Sequence, residues 1–179
     1  MTKTFVTSDT HFNHANILKY CPDRGYASVE DMNADMIKVW NETVAAEDTV
    51  YFLGDFAMGK KEFHLEFLKA LNGTIRFVPG NHDYYIRKLN KRGELPENVE
   101  MLPPIYNLNQ DGQIYVFCHF PIAEWEAMTG HASDGRTGAI HYHGHVHGQN
   151  GAVTGPDRYD IGWDVYGKPI ELHVPYENI

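Results

Sequence analysis

Phe77-Val78-Pro79-Gly80-Asn81-His82-Asp83 is the stretch on which the reading of this chain turns. An apolar strand runs into a glycine turn and delivers an amide, an imidazole and a carboxylate, groups that bind metal or move protons. Four other segments end alike: Ser8-Asp9-Thr10-His11, Gly54-Asp55, Cys118-His119 and Gly144-His145-Val146-His147. Each follows or ends a run of mostly apolar residues. A sheet brings its strand ends together, so five strand ends that terminate in Asp, Asn or His make a site.

Working outward, Thr4 to Thr7, Thr49 to Leu53 and Thr74 to Val78 read as buried strands. Phe12 to Leu18 is a loop entering a short helix, and Pro22 to Gly25 is a turn. Ser28 with Asp31 resembles a capping box, and Val29, Met32, Met36, Val39 and Trp40 mark the core face of the helix that follows. Phe63, Phe67, Leu68 and Leu71 mark another helix, with Asn72-Gly73 as its C-terminal cap. Tyr84 to Arg92 is a basic helix stopping at Gly93. Asp111-Gly112 signals a hairpin between Ile105–Leu108 and Ile114–Phe117. Pro121 opens a short helix containing Trp125, and 129–140 reads as a mobile surface loop. Ala139 to His143 is a strand. Arg158 to Val165 and Pro169 to Val174 read as a closing pair of strands around Tyr166-Gly167. Strands alternate with helices in the first half and dominate the second, an α/β or α+β pattern.

A chain of 179 residues fits one domain, 1–179, and no linker marks a second. Hydrophobic residues at 42% support a real core. The net charge of -9 argues against extended duplex nucleic acid as a partner, which calls for clustered Lys and Arg, and leaves small or single-stranded substrates open. Two cysteines, Cys21 and Cys118, make neither a disulfide framework nor a zinc motif. No apolar run is long enough to span a membrane, and the N-terminus starts a strand at once, so a soluble, cytoplasmic protein is expected. The oligomeric state is not legible. Of 11 histidines, five fall within 131–147.

By atom type, Asp9 and Asp55 offer carboxylate oxygens, Asn81 an amide oxygen, and His11, His119, His145 and His147 imidazole nitrogens. Oxygen and nitrogen donors without thiolate suit Mn, Fe, Zn or Ni better than Mg or Ca. Seven donors exceed one tetrahedral ion and suit two ions sharing a carboxylate.

The order Asp-x-His, Gly-Asp, Gly-Asn-His-Asp, His, Gly-His-x-His resembles the calcineurin-like metallophosphoesterases, in their small bacterial and phage branch. The resemblance runs from Asp9 to His147. It implies a two-sheet β-sandwich flanked by helices, the four-layer αββα arrangement. It implies two divalent transition-metal ions, Mn first, with Asp9, His11, Asp55 and His147 around one and Asp55, Asn81, His119 and His145 around the other. Asp55 is then the bridge. It also implies in-line attack by a hydroxide bridging the metals on a phosphoester, with His82 protonating the leaving group or stabilising the phosphoryl oxygens, and Asp83 orienting the His82 imidazole.

Protein Ser/Thr phosphatases of that superfamily carry Gly-Asp-x-x-Asp-Arg-Gly, whereas this chain reads Gly54-Asp55-Phe56-Ala57-Met58-Gly59. The phosphate-gripping arginine of that motif is absent, which disfavours a protein phosphatase. The expected substrate is a small phosphodiester or nucleotide; a phosphomonoesterase with the same site, or a metal-holding scaffold without turnover, are the alternatives. His14 either reaches the phosphate or caps a helix. Arg87 and its basic neighbours bind a second phosphate or form a solvated helix face. His131, His141 and His143 read as surface or neighbouring groups rather than ligands, and His64 and His173 are given no role.

Overall fold

The structure, a computed structural model, describes residues 2–129, 138–149, 151, 153–155 and 157–172. The chain begins β1 (Thr4–Thr7), α1 (Ile17–Tyr20), α2 (Val29–Thr43), β2 (Thr49–Phe52), α3 (Lys61–Ala70), β3 (Thr74–Phe77), α4 (Tyr84–Arg92) and β4 (Val99–Met101). It continues β5 (Ile105–Gln110), β6 (Gln113–Cys118), β7 (Ile140–His143), β8 (Val153–Gly155), β9 (Arg158–Asp160), α5 (Trp163–Tyr166) and β10 (Ile170–Glu171). One sheet has the order β10-β1-β2-β3-β4 and the other β5-β6-β7-β9-β8. Parallel β1 to β4 are joined through α1 to α4, as parallel strands require a crossover. The second sheet is mixed: β5–β6 is a hairpin, whereas β6, β7 and β9 run parallel.

The apolar runs of β1 to β3 are continuous because both faces are covered. Phe5, Val50, Phe52, Ile75 and Phe77 pack with Met32, Met36 and Trp40 of α2, Phe67 and Leu68 of α3 and Ile86 of α4. The alternate positions Val6, Tyr51, Leu53 and Val78 meet Tyr115, Phe117 and Tyr142 of the second sheet. This is the expected pair of mixed sheets flanked by helices.

Ser28 caps α2 as read: its Oγ accepts from Asp31 N at 3.1 Å and donates to Asp31 Oδ2 at 2.7 Å. Four readings are corrected. Asn72-Gly73 does not cap α3: Leu71 is extended, and Asn72 instead ties down the end of α2 through Asn41 and Val44. No helix opens at Pro121 among the described residues. Residues 121–129 run irregularly, and Trp125 lies against His141 on the outer side of the second sheet, its Nε1 donating to Ala139 O at 2.8 Å. His141 and His143 are wholly buried, not surface groups. Arg158 to Val165 is not one strand, and β9 and β10 lie in different sheets. After Asp160 the chain crosses to the end of β1, where Trp163 N donates to Ser8 O at 3.0 Å and the Trp163 ring enters the first core. The loop expected at 129–140 falls mostly on 130–137, and His131 and His173 also lie outside the described residues.

Trp40 ties the helical layer to the sheet. Its ring is fully buried against Phe52, and its Nε1 donates to Asn72 O at 3.0 Å. Trp40→Ala should lower stability by about 3–5 kcal/mol. Urea unfolding with an unchanged m-value and a lower midpoint is the expected result.

Candidate metal centre

The loops leaving β1, β2, β3, β6 and β7 are woven together by backbone groups. Asp9 N donates to Gly54 O at 2.9 Å and His11 N to Asp55 O at 3.0 Å. His82 N donates to Asp55 Oδ1 at 2.9 Å, Gly144 N to His119 O at 2.9 Å and His145 N to Asp9 Oδ2 at 3.0 Å. Gly80 and Gly144 are required by this closeness: a Cβ on Gly80 would strike the Asp55 carboxylate, and one on Gly144 the Asp9 carboxylate. Asp9 (φ 56°), His11 (φ 48°), Asp55 (φ 58°), His145 (φ 71°) and His147 (φ 52°) all occupy the left-handed region. Such strain collects where geometry serves function.

The side chains converge in two groups, Asp9 with His11 and His147, and Asp55 with His119 and His145. Asp9 Oδ1 lies 3.8 Å from both His11 Nε2 and His147 Nε2. Asp55 Oδ2 stands between the groups, 3.7 Å from His11 Nε2 and 3.5 Å from His119 Nε2. Asn81 Oδ1 is 3.0 Å from His119 Nε2. Asp9 Oδ1 and His11 Nε2 are buried without a hydrogen-bond partner. An anionic oxygen and a neutral imidazole nitrogen left bare side by side are satisfied together by a cation. The donor set therefore fits divalent ions.

Two imidazoles are turned by acceptors behind them, as ligating histidines commonly are. His119 Nδ1 faces Leu53 O at 2.8 Å and His147 Nδ1 faces Asp164 Oδ2 at 2.7 Å, which leaves each Nε2 for the centre. Burial pushes the Asp9 carboxyl up to about 6 and the His11 imidazole down to about 2. Burial alone would also lower His119, but its bond to Asp55 and the charges of Asp9 and Asp55 raise it to about 9. Burial is likewise outweighed at Asp55, which His119 and the His82 N–H hold at about 2.

All seven expected donors thus come together. His82 stands at the open side with its side chain 45% exposed and Nε2 3.9 Å from Asp55 Oδ2. Asp83 is corrected: it makes no hydrogen bond to the His82 imidazole among the described residues. Its fully buried carboxylate accepts from Gly80 N (2.7 Å), Asp55 N (2.8 Å) and Phe56 N (3.0 Å). His14 lies beside the centre, its Nδ1 3.4 Å from His11 Nδ1. Arg87 continues α4 from Asp83 O, and its side chain makes no hydrogen bond or ion pair among the described residues. His141 Nδ1 faces Val116 O and His143 Nδ1 faces Gly144 O, both turned away to backbone. His64, given no role, is buried between Ala57 O and Lys60 O and props the loop after Asp55.

The reading missed Ser8, Arg24, Asp160 and Asp164. Asp160 accepts from Gly148 N and Gly162 N, each at 2.8 Å, and so fixes the loop that carries His147. No local pattern marks Arg24 and Asp164, because they meet across 140 positions. Ser8 and Asp160 bond near neighbours, but a serine or an aspartate beside a glycine is too common a pattern to single out. Cys21, His147 and Asp164 also lie within ligating reach of one another. Asp164 is already committed to Arg24 and His147, so that trio is not a second centre. A cavity of about 450 Å³ opens beside His147, lined by Tyr20, Cys21, Tyr26, Gln149 and Trp163 among others.

Two mixed sheets whose joined ends carry such donors are the arrangement expected of a metal-dependent phosphoester hydrolase. The profile of the calcineurin-like phosphoesterases matches residues 2–160, and the chain belongs to that family. It is 44% identical over 119 residues to the uncharacterized protein MJ1445 of Methanocaldococcus jannaschii, a match covering 64% of this chain and 67% of that one. It is 36% identical over 87 residues to the Gene 66 protein of Mycobacterium phage L5, covering 46% of this chain but only 41% of the phage protein. The fold is shared with the protein of unknown function AQ665 from Aquifex aeolicus, at a TM-score of 0.71, 24% identity and 96% coverage of both chains. Among the described residues no helix is long and apolar enough to cross a membrane.

In the metal-free protein both His119 nitrogens face acceptors, so the ring is an imidazolium below about 9. It must lose that proton to ligate, so protons oppose binding and affinity rises with pH up to that value. Mn²⁺ titration in two buffers of different ionisation enthalpy should show roughly one proton released at neutral pH. Binding with no proton release would contradict a protonated His119 in the metal-free protein.

Proposed function

We propose that the chain is a phosphodiesterase with a dinuclear metal centre, acting on a small or flexible ester such as a nucleotide. The observation that supports this most is the bare pair Asp9 Oδ1 and His11 Nε2, with Asp55 Oδ2 set between the two donor groups. When bound, two divalent ions supply an activated water and neutralise phosphoryl charge. Oxygen and nitrogen donors favour Mn, Fe, Zn or Ni. Asp9, His11 and His147 would hold one ion and Asn81, His119 and His145 the other, with the Asp55 carboxylate available to both. His82, at the open side, donates a hydrogen bond to a phosphoryl oxygen or its proton to the leaving oxygen. Asp83 serves by fixing the backbone of Gly80, Asp55 and Phe56.

The preference for a diester rests on charge. Arg24 is the guanidinium that touches this centre, and all its N–H groups are held by protein acceptors. Among the described residues, Asn81, His82 and His145 are exposed beside the centre and His14 is half-buried, and none of these carries a fixed positive charge. A phosphodiester monoanion suits that lining better than a monoester dianion, which gains more from a fixed cation. The cavity beside His147, with Tyr20 and Tyr26 on its walls, is of a size to take the organic part of such an ester. Both cysteines are free thiols, in keeping with a reducing, cytoplasmic setting.

With Mn²⁺-loaded protein, an aryl phosphodiester should turn over faster than the matching monoester. The reverse order would replace the diester reading with phosphomonoesterase, and silence on both with metal bound would favour a non-catalytic scaffold. His82→Ala should keep its metal content by elemental analysis and lose about 10²–10⁴-fold in kcat. An unchanged rate would take His82 out of the mechanism.

A further inference from the structure

We infer that Arg24 and Asp164 are positioning residues for one half of the metal centre, holding Asp9, His11 and His147 in ligating geometry. The inference rests on the two-ion reading above. Arg24 lies in the one-turn 3-10 segment Pro22–Arg24, and its side chain is 2% exposed. Its five N–H groups are all used. Nε and Nη2 grip the two oxygens of Asp164 at 2.7 Å each. Nη2 also reaches Asp9 O at 2.7 Å, and Nη1 reaches Thr10 O at 2.9 Å and Met32 Sδ at 3.6 Å.

The two carbonyls belong to the stretch in which Asp9 and His11 are left-handed, so the guanidinium braces this strained turn from behind. Asp164 passes the constraint on: its Oδ2 takes His147 Nδ1 at 2.7 Å and turns Nε2 toward Asp9 Oδ1. One ion pair therefore touches the backbone or side chain beside every member of the first donor group. Among the described residues it makes no hydrogen bond to Asp55, His119 or His145. A planar fork can meet a carboxylate with two bonds and two carbonyls with the rest, which an ammonium cannot.

The test titrates metal-free wild type, Asp164→Asn and Arg24→Lys with Mn²⁺ by calorimetry, with elemental analysis of stoichiometry and circular dichroism to confirm folding. Wild type should bind a pair of ions. In Asp164→Asn, affinity for one ion should fall about 10–100-fold while the other keeps its wild-type value. Added to His147→Ala, Asp164→Asn should cause a smaller loss than it does alone, because part of its effect passes through that imidazole. Arg24→Lys keeps the charge, loses the fork, and should weaken the same ion. Wild-type affinity for both ions in Asp164→Asn, or equal loss at both, would overturn the inference and leave the two-ion reading intact. Failure of both variants to fold would assign the pair to stability alone and overturn it too. A wild type that binds fewer than two ions would sink the two-ion reading, and this inference with it.

Discussion

Each buried carboxylate at this end of the sheets holds a loop from another strand by its backbone N–H groups, and the centre exists because two of them have an oxygen left over. Asp83 uses both oxygens on Gly80, Asp55 and Phe56, and Asp160 uses both on Gly148 and Gly162. Asp9 and Asp55 divide the work. Oδ2 of Asp9 takes His145 N and the Ser8 hydroxyl, and Oδ1 of Asp55 takes His82 N. Asp9 Oδ1 and Asp55 Oδ2 are then free to face imidazoles. Hydrogen bonds to an ionised acceptor are roughly twice as strong as neutral ones, which is why acids rather than amides knit these loops.

This arrangement is expensive for the metal-free chain. Burial raises Asp9, Asp83 and Asp160, so the fold opposes their ionised forms. Five candidate ligands occupy the left-handed region, at roughly 1–2 kcal/mol each by hard-sphere arguments. What resists relaxation is the apolar double core: β1 to β3 are buried on both faces, so their ends cannot shift without disturbing two layers. Metal binding would recover part of this cost, since a site of this kind has no counterpart in the unfolded chain.

The parts legible in the sequence are those written in short stretches. Apolar runs ending in Asp, Asn or His announce both the strands and the donors, and Met32, Met36 and Trp40 announce the helix above them. The two-sheet arrangement followed from a family resemblance carried by those same strand ends. What stayed hidden depends on distant contacts. Arg24 and Asp164 are 140 positions apart, and neither sits in a pattern that names the other. Ile161 to Val165 has the apolar content of a strand, but the hydrogen bond from Trp163 N to Ser8 O turns it into a helical crossing between sheets. His141 and His143 alternate with His145 and His147 in sequence, yet the strand ends at His143 and the left-handed residues beyond it reverse the chain. The role first given to Asp83 failed for a related reason: adjacency to His82 says nothing of where a carboxylate finds its donors.

The same inward-facing guanidinium shapes what the open side can do. A buried cation near a phosphoester centre can grip the substrate or hold the ligands, and the five bonds of Arg24 commit it to the second task. The mouth is left to Asn81 and imidazoles, and burial together with neighbouring histidines lowers both His14 and His145 in the metal-free protein. Positive charge there is then conditional on protonation, whereas an arginine would supply it at any pH. On the proposed reading, discrimination among phosphoesters would fall to bound ions and to the shape of the space beside His147, because a fold does not by itself set the substrate, which depends on the surrounding loops.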